Sequence, residues 1–63
     1  LPKSYLALGE EALLLGKPDE ARFQANRAKK AFAPGTRDWL QAEDILIAAD
    51  EEARALKRNK KNK

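Results

Sequence analysis

Arg37-Asp38-Trp39-Leu40-Gln41-Ala42-Glu43-Asp44-Ile45-Leu46-Ile47 decides the fold, because its chemistry has already appeared 34 positions earlier. Lys3 is answered by Arg37, Tyr5 by Trp39, Leu6 by Leu40, Glu10 by Asp44 and Leu13 by Ile47. A base, an aromatic, an aliphatic, an acid and a second aliphatic recur in register, each time on a segment with helical periodicity. A period of roughly 20–50 residues is the signature of supersecondary units stacked side by side. Such arrays seldom do chemistry and instead build extended surfaces that hold other chains.

Working outward from this stretch, Trp39, Ala42, Leu46, Ala49, Ala53 and Leu56 follow at alternating steps of three and four. That spacing predicts a helix from Arg37 to about Arg58, with the stripe turned inward. Thr36 is its expected cap, and Pro34-Gly35 a firm stop before it. Upstream, a second helix is expected from Pro18 to about Ala33. Pro suits a first helical turn, where its missing N–H goes unused. Asp19 and Glu20 then complement the positive end of the helix dipole. Ala21, Ala25, Ala28 and Phe32 form its inner stripe, and their small side chains suit close packing in an antiparallel hairpin.

The first helix is expected from about Ser4 to Leu15, with Ser4 as N-cap and Tyr5, Leu8, Ala12 and Leu15 as the inward stripe. Gly16 ends it, because glycine tolerates the left-handed conformation one residue past a helix. Gly9 costs about 1 kcal/mol within a helix, so it is expected to mark the close approach of another backbone. No strand signal stands anywhere. The expected fold is all-α with three helices: a hairpin in residues 1–35 (helices about 4–15 and 18–33), a longer helix in residues 36–58 and a basic tail in residues 59–63.

Sixty-three residues allow one small unit, and cores of this size are marginal without staples. There is neither Cys nor His, so disulfides and the commonest metal ligands are missing, and neither a metal nor a cofactor is expected. A chain without cysteine leaves its redox compartment open. Leu1 in place of an initiating Met suggests a piece of something longer. No membrane-spanning run and no signal peptide are expected. The net charge of +3 comes from the C-terminus: Lys57, Arg58, Lys60, Lys61 and Lys63 supply five of the 13 bases. Without them eight bases face ten acids, a net of −2. The basicity is a tail and not a face, which argues against specific nucleic-acid binding.

Tyr5-x2-Leu8-Gly9-x2-Ala12, then Gly16-Lys17-Pro18-Asp19-Glu20-Ala21, then Ala25, Ala28 and Pro34, together resemble one tetratricopeptide repeat. Leu8, Gly9, Gly16, Ala21 and Ala28 stand at the family's offsets, and Tyr5 takes the place of a Trp. Ala12 and Ala25 replace larger residues, and Pro34 falls one place late. The resemblance covers residues 2–34 as a hairpin and residues 36–56 as the opening helix of a following unit. It implies the end of an α-solenoid, with the long third helix capping the last apolar face. The stretch from Ala33 to Leu46 also resembles the C-terminal end of repeat regions appended to bacterial zinc metallopeptidases. Those repeats would recruit substrates for a catalytic domain bearing an H-E-x-x-H motif that this chain lacks.

In tetratricopeptide arrays the first helix of each repeat lines a concave groove where peptides bind. By resemblance, the groove residues here are Lys3, Leu6, Glu10, Leu13 and Leu14, with Arg37, Leu40, Asp44, Ile47 and Ala48 as their echoes. The bases are pure donors for a peptide carboxylate or carbonyls, and the aliphatics would take apolar side chains. The expected function is therefore protein–protein interaction or scaffolding, with a protein or peptide partner. An isolated chain is expected to self-associate through its exposed leucines. An alternative of another class is an anion-binding module working through residues 57–63. Catalysis is not expected. Gly16-Lys17-Pro18 is not a phosphate loop, and Glu10-Glu11 and Asp50-Glu51-Glu52 point in different directions around their helices. Trp39 reads as a core anchor in preference to a stacking platform for a base.

Overall fold

The computed structural model describes the backbone of residues 1–61 and the side chains of residues 1–58. The chain is all-α: α1 (Pro2–Leu14), α2 (Pro18–Ala31) and a longer α3 (Arg37–Lys61). Within the described residues there is no strand.

Each boundary has a local cause. α1 begins at Pro2, ahead of the expected start at Ser4, with Leu1 in the N-cap position and no side-chain cap. The Ser4 N–H donates to the Leu1 carbonyl at 3.0 Å, so Ser4 already lies inside the first turn. Proline at the first position presets the backbone for the helix, so the serine hydroxyl has no capping task there. The other end is a Schellman motif. Gly16 takes a φ of 72°, its N–H reaches the Leu13 carbonyl at 3.1 Å, and the Lys17 N–H reaches the Ala12 carbonyl at 2.9 Å. α2 stops at Ala31, short of Ala33, because Phe32 turns extended with ψ at 148°. Ala33-Pro34-Gly35-Thr36 then closes a turn through a 3.2 Å bond from the Thr36 N–H to the Ala33 carbonyl. Proline second and glycine third, with a Gly35 φ of 85°, make this a type II turn. The Trp39 N–H reaches Thr36 Oγ1 at 3.4 Å, the long but correctly placed cap of α3. α3 continues three residues past Arg58.

Cross-helix contacts fix the directions. Tyr5 meets Arg27, and Gly9 lies near the Ala21 carbonyl, so α1 and α2 run antiparallel. Lys29 pairs with Glu43 and Arg22 with Asp50, so α2 and α3 are antiparallel as well. α1 and α3 are consequently parallel neighbours, with Glu10 bonded to Gln41 across them. The two segments that echo each other in sequence lie side by side.

The core is small and built mostly of alanine. Ala21, Ala25, Ala28, Ala42 and Ala49 are wholly buried, with Leu6, Ala12 and Ile45 nearly so. The α2 stripe stands as its spacing predicts, with Phe32 half-buried against it. The α1 stripe does not. Leu6, Gly9 and Ala12 face inward, while Leu8 and Leu15 are exposed and Tyr5 is half-buried. α1 meets two helices instead of one, so the face it buries is turned from the expected stripe towards the line where α2 and α3 meet. In α3 it is Ile45 that enters the core beside Ala42 and Ala49, while Leu46 packs at the edge and Leu56 is exposed. Gly9 does mark a close approach: a Cβ there would stand 3.3 Å from Ile45 Cγ2 and 3.6 Å from the Ala21 carbonyl oxygen. Gln24 is the buried polar residue, and its Nε2 donates to Glu20 Oε2 at 3.0 Å.

Candidate functional site

Parallel packing of α1 on α3 leaves a hollow along their outer side, away from α2. It has two compartments of about 510 and 410 Å³ that share Glu10 and Gln41. The first is lined by Lys3, Leu6, Ala7, Arg37 and Asp38 in addition to that pair. The second adds Leu13, Leu14, Asp44 and Ile45. Gln41 Nε2 donates to Glu10 Oε2 at 2.8 Å, a strap between the helices at the point where the compartments meet.

Seven of the ten expected groove residues line this hollow: Lys3, Leu6, Glu10, Leu13, Leu14, Arg37 and Asp44. Leu40, Ile47 and Ala48 do not; Leu40 and Ile47 are about half exposed elsewhere on α3. Leu6 touches the hollow only as its floor, for it is 5% exposed and belongs to the core. Leu13 is half-buried, whereas Leu14 is 88% exposed and presents nearly its whole side chain. Gln41 escaped the sequence reading. Its echo position holds Ala7, and because Gly9 and Glu43 or Glu11 and Ile45 differ as much, nothing in the repeat singled it out.

The hollow is graded along its length. Lys3 and Arg37 stand at one end with Asp38 beside them, Glu10 and Asp44 in the middle and towards the far end, and Leu13 and Leu14 at the far end. Two echo pairs, Lys3 with Arg37 and Glu10 with Asp44, each line one compartment together. The hollow can therefore offer donors, then acceptors, then apolar surface to a chain laid along it.

The opposite side of α1 and α3 faces α2, and its polar contacts are internal. Arg27 lies over the Tyr5 ring, 4.3 Å from its centroid, and its Nη2 donates to Tyr5 Oη at 3.1 Å. Lys29 lies 4.7 Å from the Trp39 centroid while pairing with Glu43. The two echoing aromatics thus meet the same chemistry, a base from α2 over the ring. Trp39 is half-buried at the α2–α3 seam and is not part of the central cluster, so as a core anchor it is peripheral. Arg22 holds Asp19 at 2.7 Å and Asp50 at 3.0 Å, tying the start of α2 to the middle of α3.

Among the described residues no cluster of potential metal ligands occurs, and no helix is long and apolar enough to cross a membrane. Of the basic tail, Lys57 and Arg58 are exposed on α3, and the side chains of residues 59–63 lie outside the described residues. No family model matches the chain, and neither does any curated protein or solved structure.

Proposed function

We propose that this chain is a binding module of tetratricopeptide type, which holds a peptide segment of a partner protein along the α1–α3 hollow. The observation that carries the reading is the parallel packing of α1 and α3, whose sequences echo each other at 34 residues, around an open hollow. In the repeat family resembled, that side of the array is the concave one. α3 would act as the closing helix, since Asp44, Glu51, Arg54 and Arg58 are exposed on it. The module performs no chemical step in this reading.

The test is selection of random peptides on the immobilised 63-residue chain, followed by comparison with a Leu14→Asp variant. Leu14 is exposed, so the variant keeps its helicity by circular dichroism. Selected peptides are expected to lose binding to it. Peptides held equally well by both proteins would place the binding surface elsewhere. Leu6→Asp is unsuitable for this purpose, since it puts a charge into the core. The same exposed leucines, Leu14 and Leu15, are expected to draw isolated copies together at high concentration. A monomeric mass by sedimentation across that range would count against it.

A further inference from the structure

We infer that the flank of α1 outside the hollow is an interface with a second copy of this chain, the two α1 helices packing antiparallel about a two-fold axis beside Leu8. It does not rest on the peptide-binding reading, since none of the residues on this flank lines the hollow. Leu1, Ser4, Leu8, Glu11 and Leu15 recur at steps of three and four, so they form one stripe of the helix. All five are exposed, the leucines to 95%, 44% and 62%. Phe23 extends this apolar surface from α2, for Arg27 lies over both the Tyr5 ring and the Phe23 ring, 4.3 and 5.5 Å from their centroids. Leu8 and Leu15 are echoed by Ala42 and Ala49, which are wholly buried, and Glu11 by Ile45, which is 3% exposed. The positions that α3 covers therefore stand bare on α1.

The cover is not a hairpin of the α1–α2 kind. Leucine in place of alanine keeps a neighbour further off than the alanine seams allow, and a hairpin there would bury the Glu11 carboxylate. A second copy fits because the stripe reads the same in both directions: aliphatic, polar, aliphatic, polar, aliphatic. In an antiparallel pair Leu1 meets Leu15 of the second copy, and Leu8 meets Leu8, the self-complementary pattern a two-fold interface requires. Glu11 then stands beside Ser4 in the first turn of the second copy's helix. α1 has no acidic residue in its own first turn, so the second copy supplies the carboxylate that this positive helix end favours, and the Ser4 hydroxyl can donate to it. A parallel pair would instead set Glu11 against Glu11. α1 has 13 residues and is about 20 Å long, so the interface is small and the dimer forms at high concentration.

The experiment is sedimentation equilibrium of the 63-residue chain at concentrations up to about 1 mM. The mass is expected to rise from 7.1 kDa towards twice that value. Leu8→Glu sets two carboxylates against each other at the axis and should weaken the dimer about ten-fold or more with unchanged helical circular dichroism. Leu15→Glu, at a more exposed position, should weaken it in the same direction and guards against a folding defect in the first variant. Leu14→Asp, on the hollow, should leave the dimer intact. A monomer throughout, a dimer that survives both glutamate variants, or one that Leu14→Asp dissolves would overturn the inference. Direction is tested by mixing a Leu1→Cys chain with a Leu15→Cys chain under mild oxidation, since the chain has no cysteine of its own. The mixed disulfide should form in preference to either symmetric one. A majority of symmetric disulfides would rule out the antiparallel pair.

Discussion

The two sides of α1 and α3 are built on opposite principles. Towards α2 the seams are sealed, with Ala21, Ala25, Ala28, Ala42 and Ala49 at zero exposure. Away from α2 the same two helices stand apart over a hollow, with Leu13, Leu14 and Ile45 along it and one side-chain strap across it. Residue size makes the difference. Alanine lets backbones approach until little space remains, and Gly9 extends that approach to Ile45 and the Ala21 carbonyl. Longer side chains on the other side cannot fill a three-helix arrangement that has no fourth member there. The sealed side thus supplies stability, and the open side keeps apolar and charged groups available.

The contrast can be broken most severely at Leu6, which closes the floor between the two sides. Leu6→Asp combines the loss of a buried aliphatic with an unpaired charge and should cost about 4 kcal/mol or more. That exceeds or equals what a core of this size typically supplies, about 3–5 kcal/mol, so helical circular dichroism should collapse. A cooperative melt with retained helicity would show that the floor is not part of the core. Ala25→Leu tests the sealed side alone. No space exists for three further carbons, and overpacking should cost about 2–3 kcal/mol in urea denaturation. A cost under about 0.5 kcal/mol would mean the seam can open.

Smaller effects sharpen the comparison. Gly16→Ala keeps every tertiary contact but places a Cβ at a φ of 72°, which should cost about 1 kcal/mol. An unchanged melting temperature would show that the turn relaxes. Arg22→Ala removes two ion pairs whose partners are largely exposed and should cost about 0.5–1 kcal/mol, less at high salt. A salt-independent loss would point to lost packing of the side-chain stem instead. Gln41→Ala, on the open side, should change stability by about 0.5 kcal/mol or less, because its bond to Glu10 is exposed. A loss above about 1 kcal/mol would make the strap a structural tie and weaken the division between the two sides.

How much of this the sequence revealed differs from helix to helix. α2 was legible because Ala21, Ala25, Ala28 and Phe32 are its main apolar face, and only one stripe fits. α1 was not, because Leu6, Leu8, Leu13, Leu14 and Leu15 stand nearly all round it. A one-residue shift turns a stripe by about 100°, and several stripes satisfy the same period. Ile45-Leu46-Ile47 creates the same ambiguity in α3, where the alternating spacing favours Leu46 but Ile45 is buried. For the hollow, the echo indicated most of the residues that line it but placed Leu6 as a contact instead of a floor. Leu40 and Ile47, which it also indicated, stand outside the hollow.

By itself the sequence determined the three helices, their breaks and the inner face of α2. These follow from local physics: proline at a helix start, glycine at positive φ past a helix end, and threonine capping α3. Tertiary structure alone decided which faces of α1 and α3 turn inward. It also decided that Glu10 meets Gln41 and Arg22 meets Asp50, across 31 and 28 positions of sequence. Such choices depend on where a second neighbour stands, and periodicity along one helix carries no record of that.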